Sequence, residues 1–385
     1  MNLLLDFIPF QNQHGVGGAA SFTKRICDEV IANKRNDTKF YAVYDSTKPQ
    51  CKMFDIYDFA NKNSITLLNI ADNKIGHLTK NHTIDVFFIA IAQFYAEYDL
   101  TGINCKTVMF IHDIFDIERC ENRIDAAIYD KNYETKWQYA KRLTNLFSHR
   151  WDRMAKKCYG NIIPLYTASN TIACTVSEYT KNSLTYFFPT IRKKINVFYS
   201  PVKKTNRKDS IEDDILRSII NKREPYILII AANRIYKNPS IVIKVFLRLK
   251  EEYPQLKLIT LKYGRNVHKD HIDISFLSDS DLENAYKYAQ ALVFASFFEG
   301  FGYPPIEAMR YGTPTVASNV TSIPEILGDA GVYFSPLYPA DLYRALKDVL
   351  DNKKHLSERI QKHYQHIRKR QEEDLNKLTE ILLTK

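Results

Sequence analysis

The chain lacks the features that mark membrane-spanning, disulfide-stabilised and zinc-binding proteins. It has no uninterrupted apolar run approaching the roughly 18 residues that cross a bilayer. Its six cysteines are scattered and form no Cys-x-x-Cys pair, so we expect reduced thiols. The N-terminus, MNLLLDFIPF, has no basic leader and is interrupted by Asp6, which predicts a buried strand rather than a signal peptide. Together these absences favour a cytoplasmic location.

The composition is that of a globular protein with a modest excess of positive charge. Hydrophobic residues make up 45% of the 385 residues and charged residues 25%, which is enough apolar content for two or three domains. The 54 basic residues exceed the 44 acidic ones by ten, and each half of the chain, divided after residue 200, carries +5. This balance favours anionic partners. Because no compact basic stripe or nucleic-acid module is present, we do not expect nucleic acid to be among them.

Short apolar runs alternate with segments of helical periodicity along most of the chain. Many of the runs are nearly continuous in Val, Ile, Leu and Phe, which is typical of parallel strands covered on both faces. The alternation predicts a doubly wound α/β fold. The predicted strands are Leu3–Ile8, Lys39–Tyr44, Val86–Ile91, Thr107–His112, Thr171–Val176, Tyr226–Ala231, Lys257–Lys262, Ile272–Phe276, Ala291–Ala295 and Thr315–Ala317.

A polar interruption divides the pattern into two domains. Residues 201–225 begin with the polar, proline-containing stretch PVKKTNRKDSIEDD and precede a fresh strand, so they are interpreted as a linker. Residues 1–200 then form an N-terminal domain and residues 226–365 a C-terminal one. Residues 366–385 are predicted to be a helix that packs back on the N-terminal domain.

A glycine-rich turn, residues 15–20, precedes the first predicted helix. It fits the G-x-G-x-x-A pattern of dinucleotide sites, so NAD binding is one interpretation. However, residues 9–14 separate it from the first strand, whereas the dinucleotide fingerprint follows its strand directly. A turn that needs positive φ angles is a second interpretation, and a loop whose N–H groups meet the phosphate of another ligand is the third.

Two further segments combine charge with the ends of predicted strands. Arg234 and Lys237 follow the strand Tyr226–Ala231, where open parallel sheets bind ligands, and both can bind phosphate. Glu299 and Glu307 are separated by seven residues that include two glycines and two prolines. Carboxylates near a helix start suit a ligand with both hydroxyls and phosphate, such as a nucleotide sugar. The alternatives are a solvated loop for the first segment and a capping glutamate for the second.

These residues resemble glycosyltransferase family 4, whose members are retaining enzymes with the GT-B fold. Glu299 to Met309 are similar to the family's E-x7-E motif. The similarity covers nearly the whole chain and is also seen at Gly17-Gly18, His112-Asp113, Val176–Glu178, Lys237-Asn238, Gly312–Ser318, Ile323–Glu325 and Gly328–Ala330. The resemblance implies two Rossmann-like, doubly wound domains that face each other across a cleft.

The resemblance also implies a role for each matching residue. Arg234 and Lys237 would hold the donor diphosphate and stabilise the departing nucleoside diphosphate, and Gly17 and Gly18 would bring N–H groups to the same phosphates. Glu299 would contact hydroxyls of the donor sugar. His112 would reach the sugar ring or the acceptor. The resemblance places Gly300, Phe301 and Gly302 beside the sugar. It places Glu307 beside the ribose and Leu277 beside the base.

No metal is expected to take part in the reaction. The sequence Asp279-Ser280-Asp281 could be mistaken for a metal-binding D-x-D pair, but it opens a predicted helix, where aspartate is a favoured cap. Arg234, Lys237 and helix N-termini can stabilise the leaving diphosphate instead. With no clear nucleophile, we favour front-face attack in which the leaving phosphate accepts the proton of the acceptor.

The sequence therefore predicts a retaining hexosyltransferase, with mannose preferred, that acts in cell-surface polysaccharide synthesis. No cofactor is expected, and the donor is a GDP- or UDP-linked sugar. The acceptor is a glycan or a lipid-linked molecule, and the remaining basic residues could contact an anionic membrane. The alternatives are a nucleotide-sugar epimerase or hydrolase of the same fold, an NAD-dependent oxidoreductase, and a non-catalytic binding protein.

Overall fold

The computed structural model describes residues 1–11, 18–49, 51, 54–71, 74–121, 135–144, 150–203 and 208–385. The chain divides into two compact units. The first unit comprises residues 1–117, 150–203 and 369–385, and the second comprises residues 118–149 and 204–368. The described residues of the range 118–149 thus cluster with the second unit, and the domain bounds drawn from the sequence stay a prediction. Within the described ranges, no helix is long and apolar enough to span a bilayer.

The first unit is built on a parallel sheet in which seven strands are described. Their order is β3-β2-β1-β4-β5-β6-β7, so the chain moves outward from β1 in both directions. Leu3, Leu4 and Leu5 of the central strand are fully buried, as expected for a strand covered on both faces. The strands are β1 (Asn2–Asp6), β2 (Lys39–Tyr44), β3 (Ile65–Asn69), β4 (Val86–Ile89), β5 (Lys106–Phe110), β6 (Thr171–Thr175) and β7 (Asn196–Val197).

Helices connect these strands, and the last helix of the chain also joins this unit. The connecting helices are Gly18–Ala32, Ile56–Lys62, Ile75–Asn81, Phe115–Glu121, Arg150–Tyr159, Ile162–Thr167 and Glu178–Phe187. The final helix, Pro339–Leu382, is kinked at Asn352. Its last part belongs to the first unit, where Asp374 Oδ2 accepts a hydrogen bond of 2.9 Å from the Tyr199 amide.

The second unit has the same design with six described strands. Their order is β10-β9-β8-β11-β12-β13, and all neighbouring pairs are parallel. The strands are β8 (Tyr226–Ile229), β9 (Lys257–Leu261), β10 (His271–Ile274), β11 (Ala291–Phe294), β12 (Thr315–Ser318) and β13 (Gly331–Phe334). The helices are Lys136–Thr144, Asp214–Asn221, Pro239–Leu249, Asp279–Tyr288, Tyr303–Met309, Ile323–Leu327 and the first part of Pro339–Leu382. The prediction of two doubly wound, Rossmann-like domains is confirmed.

Three short strands were not predicted. β3 and β13 are only five and four residues long and lie at the edges of their sheets, and β7 has two residues. Short runs carry too few residues to show a period, so pairing with a neighbouring strand decides their conformation.

Part of the segment predicted as a linker is ordered against the second unit. It contains the helix Asp214–Asn221, and the Lys208 amide donates to Ser280 Oγ at 2.8 Å. Asp281 is buried, and its two carboxylate oxygens accept the backbone N–H groups of Glu212 and Asp213 at 3.0 and 2.9 Å. The helix Asp279–Tyr288 is capped by Ser278, not by either aspartate. Asp281 therefore fastens this segment to the second unit.

This arrangement predicts different effects for the two aspartates of the D-x-D sequence. Asp281→Ala leaves the partly buried N–H groups of Glu212 and Asp213 without their acceptor, so we expect a loss of about 2 kcal/mol in stability. Asp279 is exposed, and Asp279→Ala should cost less than about 1 kcal/mol. Thermal melting of both full-length variants compares them. Equal loss in the two variants would contradict the anchoring role of Asp281.

Candidate active site

The charged residues singled out in the second half of the sequence follow two neighbouring strands of the second sheet. β8 and β11 pair directly, and in a parallel sheet their carboxyl ends lie at one edge. The loop after β8 carries Arg234 and ends in a 3-10 turn, Ile235–Lys237. The loop after β11 carries Glu299. A backbone hydrogen bond of 2.8 Å from the Phe297 amide to the Tyr236 carbonyl joins the two loops.

Asn238 sets the direction in which the chain leaves the first loop. Its φ angle is +53°, a left-handed conformation that asparagine tolerates better than most residues. The buried side chain is held by a hydrogen bond of 2.9 Å from Nδ2 to the Pro336 carbonyl. Pro239 then opens the helix Pro239–Leu249, which suits its fixed φ. Lys237 is thereby fixed between the turn and the helix.

A largely buried ion pair joins the two loops. Lys237 Nζ donates a hydrogen bond to Glu299 Oε1, and only 9% and 14% of the two side chains are exposed. Ser296 Oγ donates to the same carboxylate oxygen at 2.7 Å. Lys237 Nζ also lies 4.7 Å from the centroid of the Phe294 ring, a cation–π distance. The ammonium and the carboxylate that sequence analysis assigned to one ligand are therefore adjacent.

Backbone contacts fix the loop that carries Glu299. Its amide donates to Thr321 Oγ1 at 3.2 Å, and its carbonyl accepts from Ser322 Oγ at 2.9 Å. Gly302 has a φ angle of +105°, which a residue with a Cβ rarely adopts. This turn leads directly into the helix Tyr303–Met309. The loop is therefore preformed.

The second glutamate of the motif, Glu307, accepts a hydrogen bond from a buried tyrosine. Glu307 is buried, and its Oε2 accepts a hydrogen bond of 2.8 Å from Tyr286 Oη. Burial and the neighbouring carboxylate of Glu307 raise the pKa of Tyr286 well above its usual value, so the phenol remains a donor. Glu307 is thus fixed between the helices Asp279–Tyr288 and Tyr303–Met309.

Two other predicted residues of the second unit lie outside this cluster. Arg234 is exposed and donates from Nη1 to Tyr236 Oη at 2.8 Å. Leu277 is buried in an apolar cluster with Ile274 and Ala285. Its side chain therefore serves the core, which leaves only backbone atoms at this position for the predicted contact with a base. The roles of Arg234 and Leu277 stay predictions.

His112 follows β5 at the carboxyl edge of the first sheet and is partly buried. Its Nε2 lies 3.0 Å from the carbonyl oxygen of Ala90, and its ring packs edge-on against Phe22 with centroids 4.5 Å apart. Burial lowers the pKa of His112 to about 4, against the opposing effect of the hydrogen bond to Ala90. The ring is therefore neutral at pH 7. Because the carbonyl can only accept, Nε2 carries the proton and Nδ1 is the acceptor.

The other first-unit residues that lie in the motifs similar to the family are partly described by the structure. Gly18 is the first residue of the helix Gly18–Ala32 and is exposed, whereas Gly17 lies outside the described residues. Asp113 Oδ1 accepts the Phe115 amide at 3.1 Å and so closes a turn. Ser177 caps the helix Glu178–Phe187 by accepting the Thr180 amide at 3.1 Å, which gives it a structural role.

Comparison with known proteins finds a family similar to the second part of the chain. Residues 210–366 match the family model described as glycosyl transferases group 1. The matched range includes Lys237, Glu299 and Glu307, so the ion pair lies within the part of the chain that is similar to this family.

Individual relatives are similar over parts of their length. The chain is 49% identical over 63 residues to O-antigen chain mannosyltransferase B of Escherichia coli, which is 16% of each chain. It is 28% identical over 189 residues to O-antigen chain mannosyltransferase RfbU of Salmonella typhimurium, which is 46% of this chain and 50% of the relative. The matches thus span at most about half of these relatives.

A solved structure matches over nearly the whole chain. Anabaena Alr3699/HepE in complex with UDP-glucose has a TM-score of 0.62 and 14% identity, and the match covers 99% of this chain and 100% of that one. This likeness shows a common fold.

Several residues that shape this site were not singled out in the sequence analysis. Ser296 and Thr321 bond Glu299 across the loops, and Tyr286 bonds Glu307 from 21 residues away. Ser296 could have been suspected because it lies three residues before Glu299. Tyr286 occupies an ordinary helix position, and only the packing of two helices reveals its contact. Among the described residues, no group of three or more His, Cys, Asp and Glu side chains is arranged to hold a metal.

The ion pair predicts different behaviour for the two basic residues of the loop after β8. Lys237→Ala leaves the Glu299 carboxylate largely buried without its counter-charge, so we expect a loss of about 3 kcal/mol in stability. Arg234→Ala, at an exposed position, should cost less than about 0.5 kcal/mol. Thermal melting of the full chain measures both. Two variants as stable as the wild type would contradict the coupling between Lys237 and Glu299.

Proposed function

We propose that the chain is a retaining glycosyltransferase that transfers a hexose, with mannose preferred, from a nucleoside-diphosphate sugar to a hydroxyl group. The observation that carries the proposal is the adjacency of Lys237 and Glu299 at the carboxyl ends of β8 and β11. A positive group for the diphosphate and a carboxylate for the sugar hydroxyls are there in direct hydrogen-bond contact.

The comparisons support the choice of donor and pathway. Two of the relatives bear the name O-antigen chain mannosyltransferase, which favours mannose and cell-surface polysaccharide synthesis. HepE has been solved with UDP-glucose, which favours a nucleotide sugar, GDP- or UDP-linked, as the donor. The acceptor in this proposal is a glycan or a lipid-linked molecule. The basic residues outside the site would contact the anionic membrane that carries it.

The proposed reaction breaks the bond between the anomeric carbon and the phosphate oxygen, whose electron pair stays on the leaving diphosphate. Lys237 would turn from Glu299 towards this growing charge, with Arg234 approaching from the surface. An acceptor hydroxyl forms the new bond on the same face, and its proton passes to the leaving phosphate. Stabilisation of charge by preorganised groups lowers the barrier of such a step.

The remaining site residues would bind the rest of the donor. Glu299 would accept hydrogen bonds from hydroxyls of the sugar, which would lie beside the backbone of residues 300–302. Glu307, whose Oε2 accepts a hydrogen bond from Tyr286, would accept hydrogen bonds from the ribose hydroxyls. The neutral ring of His112 would accept a hydrogen bond from a hydroxyl group at Nδ1, since its Nε2 is engaged by the Ala90 carbonyl.

A panel of nucleotide sugars tests the donor. We expect GDP-mannose or UDP-glucose, added at about 100 times its dissociation constant, to stabilise the protein by about 2.7 kcal/mol, seen as a rise in melting temperature. In Glu299→Gln, hexose transfer should fall at least about 100-fold. The matched control, Glu251→Gln, alters an exposed glutamate and should keep full activity. No shift with any nucleotide sugar, or full activity of Glu299→Gln, would contradict the proposal.

Metal independence forms a separate part of the proposal. Asp281, the buried member of the D-x-D sequence, already accepts two backbone N–H groups, and Lys237 supplies positive charge at the site. We therefore expect enzyme dialysed against EDTA to keep its transfer rate within about twofold, well under the tenfold that ~1.4 kcal/mol of barrier represents. An enzyme that is inactive until Mn²⁺ is restored would refute this part alone.

A further inference from the structure

A fully buried aspartate at the end of the first strand has no role in the site described above. Asp6 is the last residue of β1 and accepts four hydrogen bonds. Its Oδ1 accepts from Tyr95 Oη at 2.6 Å and from the Ile8 amide at 3.1 Å. Its Oδ2 accepts from the amides of Ala90 and Ile91 at 2.9 and 3.4 Å.

One peptide group joins Asp6 to His112. The carbonyl of Ala90 and the N–H of Ile91 belong to the same planar unit and point in opposite directions. The N–H is directed at Asp6 Oδ2, and the carbonyl oxygen accepts from His112 Nε2 at 3.0 Å. Asp6 and His112 therefore hold the two ends of a single peptide dipole.

This arrangement has an electrostatic and a geometric consequence for His112. A negative charge at the N–H end of a peptide polarises its carbonyl and makes it a stronger acceptor, as in other hydrogen-bonded chains. The two bonds to Oδ2 also fix the direction of the carbonyl. Both effects favour the tautomer in which His112 carries its proton on Nε2 and leaves Nδ1 unprotonated, as a hydrogen-bond acceptor.

The difference in exposure separates the roles of the two residues. Asp6 is completely covered and cannot touch a substrate, whereas His112 is partly exposed at the same edge of the sheet. Burial raises the pKa of Asp6 to about 7 against the opposing effect of its four hydrogen bonds. A buried ionisable group lowers stability relative to a well-packed apolar one, so a purely packing role does not explain an aspartate here.

We propose that Asp6 is a positioning residue that holds His112 in its Nε2-protonated tautomer through the Ala90–Ile91 peptide. The consequence for sugar transfer rests on the proposed function, in which Nδ1 of His112 accepts a hydroxyl. The link between Asp6 and the tautomer of His112 does not depend on that function.

The tautomer is measured directly by ¹⁵N NMR of the imidazole in the full-length protein at pH 8, where the Asp6 carboxylate predominates. Wild-type His112 should show the chemical shifts of a single Nε2–H tautomer. Asp6→Asn should shift at least about a fifth of the population to the Nδ1–H form, or make exchange of the Nε2 proton with water at least tenfold faster. The reason is that the negative charge of the Asp6 carboxylate, which polarises the peptide, is lost.

Tyr95→Phe is the matched control. It removes a buried donor from Oδ1 of the same carboxylate and leaves both bonds to Oδ2. Because loss of this donor raises the pKa of Asp6, the variant is measured at a pH high enough to keep the carboxylate ionised. There it should lower stability to a similar degree without changing the tautomer of His112. An unchanged tautomer in Asp6→Asn, or an equal change in Tyr95→Phe, would overturn the proposal whether or not the protein transfers sugar.

A double-mutant cycle tests the catalytic consequence. Asp6→Asn should lower kcat in the wild-type background in proportion to the Nε2–H tautomer that is lost, which is about 1.25-fold when a fifth of the population shifts, with little change in the KM for the donor. In a His112→Ala background the same substitution should have no further effect, because the two residues act as one unit. An equal loss of kcat in both backgrounds would show that Asp6 acts through the fold and would refute the positioning role.

Discussion

The direction of the strands is the constraint on which the site depends. Every described pair of neighbouring strands in both sheets is parallel, so the loops that follow the strands all leave at one edge of their sheet. Residues far apart in the chain therefore meet there. Lys237 and Glu299 are 62 residues apart and become neighbours because β8 and β11 pair directly.

Once the loops are adjacent, charge pairing decides their conformation. A lysine and a glutamate that are both largely buried must be partnered, because the cost of removing either charge from water is several kcal/mol. Their mutual bond meets this need before a ligand arrives. In the proposed function a diphosphate replaces the carboxylate as the partner of the ammonium, so the ion pair that joins the two loops would open to bind the donor.

Buried carboxylates do comparable work elsewhere in the fold. Asp281 accepts the N–H groups that precede the helix Asp214–Asn221, Glu307 accepts a tyrosine hydroxyl, and Asp6 accepts four donors. In each case the carboxylate fixes a backbone segment or another side chain. Such groups keep loops in place that would otherwise be free to move.

The sequence by itself determined the fold class and the positions that carry charge into the site. Continuous apolar runs separated by helical periods lead to two parallel sheets, and the E-x7-E motif locates Glu299 and Glu307, because both signals are local in the chain. Only the tertiary structure decided which groups touch. Ser296, Tyr286 and Asp6 act through partners brought to them by strand pairing and helix packing, and the short edge strands β3 and β13 form only when a neighbour pairs with them. Contacts between distant segments depend on the register and packing of whole elements, and no local pattern of residues encodes that information.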